Sequence, residues 1–246
     1  MRELPDRSID MILCDLPYGI LNRGNQAAKW DSQIPFEPLW EQYKRLIIHN
    51  GAIVLFGQGM FTAKLIMSNP KMWRYNLVWK KGGRCSGFLN AKRQPLRNHE
   101  DIIVFAKKQT IYHPQMRKCE PHQRTHSRGK LLNKGTNRCY GEFKDMPTIV
   151  SDEKYPLSVL DFKQDFPPKH PTQKPVALLE YLIRTYTGEG MTVLDNCMGC
   201  GSTCIAAINT GRNYIGFELD KDYYEMSKLR ISETIEKKIK NNAINY

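Results

Sequence analysis

The stretch TVLDNCMGCGSTCIAAINTGRNYIGFELD, Thr192 to Asp220, reads as a strand, a glycine-rich turn, a helix and a second strand. Its first apolar run ends on Asp195. Gly199 and Gly201 then allow the backbone to turn tightly and approach a ligand, and Ser202 and Thr203 are suited to open the helix. Glu218 closes the second apolar run, where a carboxylate can accept hydrogen bonds from both hydroxyls of a ribose. The ordered set points to a nucleoside. A dinucleotide site wants a third small residue, Gly or Ala, where this chain has Cys204. The adenosyl group of S-adenosylmethionine needs no pyrophosphate cradle and does not depend on that glycine. From the loop alone the two readings stand level.

The same alternation extends along the chain. IDMILCD, GAIVLFG, YNLVWKK and DIIVFAKK are short apolar runs bounded by turn residues, as expected of strands buried on both faces of a parallel or mixed sheet. Leu39, Trp40, Tyr43, Leu46 and Ile47 form one helical stripe. Val176, Leu179, Leu182, Ile183 and Tyr186 form another, with Pro175 suited to its first turn. Further helices are expected over Ser202 to Asn209 and Asp222 to Ile239. Strands alternating with helices predict an α/β fold. Between about Lys107 and Pro168 the regularity dissolves into a polar, basic stretch punctuated by six prolines. A structureless loop of that length does not suit a compact domain, so the segment reads as an inserted lobe or one ordered by its partner.

Composition narrows the function class. The chain has 246 residues, 41% of them hydrophobic, which fits a globular protein. No apolar run approaches the roughly 20 residues of a membrane span. The N-terminus MRELPDRSID lacks an apolar core, so nothing suggests secretion. Seven unevenly spaced cysteines argue for reduced thiols and a cytoplasmic location. Two cysteine clusters do not read as metal sites. Cys197, Cys200 and Cys204 lie on a turn where small buried side chains are wanted, and Cys119, His122, His126 and Cys139 match no zinc spacing. The formal net charge is +12, and it is concentrated: Gly82 to Lys144 holds 14 Lys or Arg against four acids. So one-sided a segment marks a polyanion partner.

A second stretch, CDLPYG from Cys14 to Gly19, puts a carboxylate, a kink and an aromatic ring at the end of a buried strand. Asp15-Leu16-Pro17-Tyr18 resembles the D-P-P-Y motif of the amino-methyltransferases, which methylate exocyclic amino nitrogens of DNA bases. HPTQKP, His170 to Pro175, resembles a second motif of that family, placed just before the cofactor loop. The order D-L-P-Y, basic variable region, H-P-T-Q-K-P, glycine loop is that of the family's β-group, the modification methylases of phage and bacteria. The resemblance covers nearly the whole chain.

The resemblance implies a Rossmann-like methyltransferase sheet with an inserted target-recognition region. The expected organisation is a catalytic half over 1–106, the insert over 107–168, and the S-adenosylmethionine-binding half over 169–246. It implies site-specific methylation of adenine N6 in double-stranded DNA, since Asp or Asn opens the motif for adenine and Ser for cytosine N4. Cytosine N4 is the alternative chemistry; a basic DNA-binding module with a vestigial cofactor fold is the alternative of another class. An NAD oxidoreductase has no use for D-L-P-Y.

The catalytic group is Asp15, Leu16, Pro17 and Tyr18. Asp15 and the Leu16 carbonyl would accept the amine hydrogens, and Tyr18 would stack on a flipped base. The expected cofactor group is Thr172, Gln173, Lys174, Asp195, Cys197, Gly199, Gly201, Ser202, Thr203 and Glu218. Charge places Arg117, Arg124, Arg128 and Arg138 on DNA. A homodimer, a cognate restriction enzyme and a nucleoid-associated location are compatible with this reading. Leu16 departs from the family's first proline, keeping the carbonyl but not the fixed φ. Cys200 and Cys204 replace simpler residues, which would shift the cofactor loop slightly. The acidic residue that the family often carries on an earlier strand has no counterpart before Arg2, which would mean a misplaced start or weaker cofactor binding.

Overall fold

The computed structural model of the protein describes residues 1–20, 31–120, 151–167 and 173–244. They fall into two compact units, Met1–His113 with Ser158–Tyr246, and Pro114–Leu157. In the larger unit a seven-stranded sheet is built from β1 (Ile9–Cys14), β2 (Ile47–Gly57), β3 (Trp73–Lys80), β4 (His99–Phe105), β7 (Val159–Asp161), β8 (Thr192–Asp195) and β9 (Asn213–Gly216). Their order across the sheet is β7-β3-β4-β2-β1-β8-β9. In the smaller unit β5 (Arg117–Lys118) and β6 (Glu153–Lys154) pair antiparallel.

Pairing is parallel from β2 through β1 and β8 to β9, while β4 runs antiparallel to both β2 and β3. From β1 the chain moves to β2 on one side, and from β8 it moves to β9 on the other. The neighbours β1 and β8 therefore form a topological switch point, where the loops leaving the two strand ends diverge and open a crevice. Both stretches singled out in the sequence, CDLPYG and the glycine loop, leave these two ends.

Two-residue alternation divides the strands between two apolar layers. Cys14, Ile53, Leu55, Ile103 and Phe105 pack with α1 (Phe36–Leu46) and α2 (Met60–Ser68) through Leu39, Trp40, Tyr43, Phe61 and Leu65. Met11, Leu13, Val54, Ile102 and Val104 pack on the other side with α3 (Val176–Tyr186), through Leu178, Leu179, Leu182, Ile183 and Tyr186. Ala206 and Ala207 of α4 (Ser202–Asn209) join that second layer. Each fully buried aliphatic or aromatic side chain contributes roughly 1.5–3 kcal/mol, so these stripes outweigh local propensity.

The elements differ from expectation in four places. Ile47, expected on the first helical stripe, opens β2 instead. Pro175 caps α3 from outside rather than sitting in its first turn: its backbone is extended and its carbonyl accepts the Leu179 N–H at 3.2 Å. The last helix, α5, runs Lys221–Ile244, because KNNAI contains no glycine or proline to stop it. β7 lies inside the stretch that read as irregular, yet it pairs parallel with β3 on the sheet edge, Trp79 opposite Leu160. Only Leu160 of its three residues is buried, so no alternation betrays it. The Trp79 indole N–H donating to the Phe162 carbonyl at 2.8 Å helps to hold it there.

Candidate active site

A cavity of about 680 Å³ occupies the crevice beyond β1 and β8. It is lined by Asp15 to Tyr18 from the end of β1 and by Asp195 to Cys200 from the end of β8. Gln173 and Lys174, just before α3, and Glu218, after β9, add to the wall, as do Lys81, Glu100, Ser202 and Thr203. That volume is in the range of small-ligand sites.

Continuing the alternation of Met11 and Leu13 carries Asp15 to the α3 side of the sheet. Its carboxylate meets two donors there: the Tyr18 hydroxyl donates to Oδ1 at 2.9 Å, and the Lys174 ammonium donates to Oδ2. Lys174 also lies 3.3 Å from Glu100 Oε2, an oxygen that gains no well-formed hydrogen bond, and Lys81 pairs with Glu100 Oε1 at 2.6 Å. Lys174 and Lys81 keep only 7% and 8% of their side-chain exposure, and Glu100 12%. Two carboxylates and two ammonium groups thus form a nearly dry, balanced chain. Such a chain is costly to break, because removing one partner strands a buried charge.

Burial raises the Asp15 carboxyl above its ordinary range; Lys174 opposes that rise, Glu100 adds to it, and the Tyr18 hydroxyl opposes it. Burial works against the Glu100 charge as well, but Lys174 and Lys81 overturn it and hold that carboxyl low. Lys174 is desolvated too, yet Asp15 and Glu100 keep its ammonium firmly protonated. The Tyr18 ring packs on Phe61 with centroids 4.6 Å apart. Beyond it, the Asp31 carboxylate accepts the Gly19 N–H at 3.0 Å and the Ile20 N–H at 2.7 Å, fastening the chain that leaves the site.

On the other side of the crevice, Gly199 and Gly201 have φ of 51° and 78°, the left-handed region that lets the loop fold back on β8. The Glu218 carboxylate accepts the Gly199 N–H at 2.8 Å and the Asp220 N–H at 2.9 Å. One bond per oxygen leaves lone-pair capacity on both, as the hydroxyls of a ribose require. Asp195 accepts the Cys197 N–H at 3.0 Å. Its carboxyl is pushed up to about 6, chiefly by burial, against hydrogen bonds from Thr203 and Cys197. The Tyr43 hydroxyl donates to Asn196 Oδ1 at 2.5 Å and ties α1 to the loop. Cys200 and Cys204 are buried, and burial pushes the Cys204 thiol up, which leaves it an inert packing group.

The expected catalytic residues and most of the expected cofactor residues therefore line one cavity. Lys174, grouped with the cofactor in the sequence reading, has its ammonium on Asp15 and Glu100. Gln173 donates to Asp165 Oδ2 at 3.0 Å, beside the Val176 N–H that the same oxygen accepts at 3.2 Å. Gly201 caps α4, and Ser202 and Thr203 begin it. In the smaller unit Arg117 is exposed on β5, its Nε donating to the Tyr155 carbonyl at 3.1 Å. Thr172, Arg124, Arg128 and Arg138 lie outside the described residues, as do His122, His126 and Cys139. No group of His, Cys, Asp or Glu among the described residues is arranged to hold a metal ion, and no described helix is long and apolar enough to cross a membrane.

Lys81, Glu100 and Asp31 escaped the sequence reading. Glu100 had one available signal, an acid just before the run DIIVF and in phase with Ile102 and Val104.

A family model described as DNA methylase matches residues 9–229. The type II methyltransferase M2.MboI of Moraxella bovis is 28% identical, over 95% of this chain and 84% of that protein. The DNA adenine methyltransferase YhdJ of Escherichia coli strain K12 is 25% identical, over 94% of this chain and 79% of that one. Among solved structures, the M1.HpyAVI–SAM complex shares the fold with a TM-score of 0.59 at 24% identity, covering 91% of this chain and 89% of that one.

Proposed function

The chain belongs to the DNA methylase family of N6 and N4 amino-methyltransferases, and on that premise we propose that it methylates the N6 amino group of adenine at specific sites in double-stranded DNA, with S-adenosylmethionine as donor. The observation that carries this reading is the convergence of Asp15 and Tyr18 with Gly199 and Glu218 on one cavity at the β1–β8 switch point. S-adenosylmethionine, when bound, supplies an electrophilic methyl group on a sulfonium. The cavity's donors and acceptors suit it: the Glu218 oxygens are free to take ribose hydroxyls, and the turn at Gly199 and Gly201 keeps side chains out of the way.

The amine is the harder half of the reaction, because its lone pair is conjugated into the base. Asp15 and the Leu16 carbonyl accept the two amino hydrogens in this reading, favouring a nitrogen whose lone pair points away from the ring. An ionised carboxylate has about four lone-pair sites, and Tyr18 and Lys174 use two of them. Acceptor capacity for the amine remains. Tyr18, braced by Phe61, offers its ring to the flipped base. Lys174 favours the charged form of Asp15 against burial and, itself held between Asp15 and Glu100, keeps that carboxylate fixed, so little reorganisation is needed at the moment of transfer.

Adenine is preferred over cytosine because Asp15 stands where cytosine enzymes of this family usually carry Ser, and because YhdJ is named an adenine methyltransferase. Nucleoside mass spectrometry after incubation with unmethylated DNA and labelled donor should show N6-methyladenine; N4-methylcytosine would reverse the choice of base. Asp15→Ala should lose on the order of a hundredfold or more in transfer while still binding DNA, as expected for a positioned acceptor in a closed site. The same proposal covers a cytoplasmic, nucleoid-associated location, a paired restriction endonuclease and self-association. Protection of modified DNA from cleavage and sedimentation of the free protein check the last two.

A further inference from the structure

The connection from β3 to β4 is built unlike an ordinary surface loop. Ser86 and Arg97 exchange backbone hydrogen bonds of 2.8 and 3.0 Å, closing a narrow neck. Cys85 and Ser86 of that neck line the cavity that holds Asp15. Beyond the neck a single 3-10 turn, Phe88–Asn90, presents Phe88 at 75% and Leu89 at 85% exposure. Phe88 follows Ser86 by two residues, a reach of about 7 Å of extended chain. Two large apolar side chains this exposed at a tip cost solvation. Their surroundings are cationic: Arg84, Lys92, Arg93 and Arg97 lie between Gly82 and Asn98, with no acid among them.

Resting on the DNA-methylation reading above, we propose that this hairpin is a wedge. Arg84, Lys92, Arg93 and Arg97 grip the phosphates around the target, and Phe88 with Leu89 enters the base stack where the target base leaves it. The physical case is one of complementarity. A base that enters the Asp15 cavity leaves an apolar, unstacked gap in the duplex, and proteins that unstack DNA fill such gaps with Phe, Leu or Ile side chains. Four cations around the tip match the polyanion that flanks the gap. A second copy of this chain would gain from the apolar tip but would meet the same four cations.

The test compares two duplexes carrying the site found by sequencing modified bases, one fully paired and one with an abasic position opposite the target. The second needs less work to extrude the base. Phe88→Ala/Leu89→Ala should lower turnover on the paired duplex about tenfold or more, and the abasic duplex should restore most of it. Phe88→Trp, which keeps an apolar wedge, should stay near wild type on both. Both positions are exposed, so melting should be unchanged. Equal turnover of the double variant and wild type on paired DNA would overturn the wedge. An equal loss on both duplexes, or a loss that follows a change in sedimentation, would overturn it too. Wild-type protein that methylates neither duplex would remove the methylation reading itself, a result distinct from any of these.

Discussion

Asp15 enters the cavity already paired, and this makes Lys174 a positioning residue as well as a wall. The form of Asp15 that accepts amine hydrogens is the ionised one, and Lys174 is the largest charge favouring it against burial. Removing the ammonium leaves Asp15 with only the Tyr18 hydroxyl and with Glu100 as a like-charged neighbour, which favours protonation of Asp15. Lys174→Met should therefore lose on the order of tenfold or more of turnover at neutral pH, and the acid limb of its kcat–pH profile should move to higher pH. Lys174→Arg should keep the limb in place. A limb that does not move in the Met variant would reduce Lys174 to a packing role. Asp195 offers an independent check on the electrostatics. Its carboxyl titrates near 3.8 when unfolded and at about 6 when folded, so between these values the folded state holds a proton that the unfolded state has lost. Stability is then fully present below 3.8 and declines as pH rises through about 6. The loss is on the order of 3 kcal/mol. Asp195→Asn should melt higher than wild type at pH 7 and level with it at pH 4. A difference independent of pH would show that the buried charge is not its source.

At the scale of elements, the glycine turn depends on geometry that only one residue type accepts cheaply. Gly201 has φ of 78°, and a Cβ there would sit 3.0 Å from the Cβ of Ser227, a fully buried residue of α5. Gly201→Ala should lose about 1–2 kcal/mol of stability from the left-handed backbone alone, together with affinity for S-adenosylmethionine measured by calorimetry. Unchanged affinity would mean that the turn does not shape the cofactor wall. The turn was legible in the sequence because strand, glycines, helix and strand-end Glu218 follow one another locally. CDLPYG was legible for the same reason, an apolar strand ending on Asp15. The chain of charges behind Asp15 was not, because Asp15 and Lys174 stand 159 residues apart. Only the sheet order brings β3, β4 and the approach to α3 together there. A periodic pattern assigns Glu100 to a face without saying which lysine it meets. β7 was hidden for another reason: three residues with a single buried side chain carry too little pattern to read, and its place is fixed by backbone pairing with β3.

At the scale of the whole chain, most of the excess positive charge lies between Gly82 and Lys144, whereas most of the cavity residues lie outside that stretch. The cavity residues belong to the larger unit, and the apolar layers on both faces of its sheet give them a rigid frame. The segment over 107–168 is where we place the choice of DNA sequence, because it is basic, proline-rich and poor in periodic structure. A guanidinium that touches only phosphate contributes equally to every sequence, whereas one that reads a guanine edge contributes at one position. Arg117 is exposed, with its Nε N–H given to the Tyr155 carbonyl. If it is a phosphate contact, Arg117→Gln should weaken matched and mismatched duplexes alike and reduce the slope of log affinity against log salt by about one. If it reads a base, the same substitution should cost about 1–3 kcal/mol on the preferred site and relax the choice at that position, leaving mismatched duplexes little changed. Grafting residues 107–168 from a relative with another target should then transfer that target. A graft that methylates the original sequence would move recognition out of this segment and onto the basic hairpin between β3 and β4, whose Cys85 and Ser86 line the cavity.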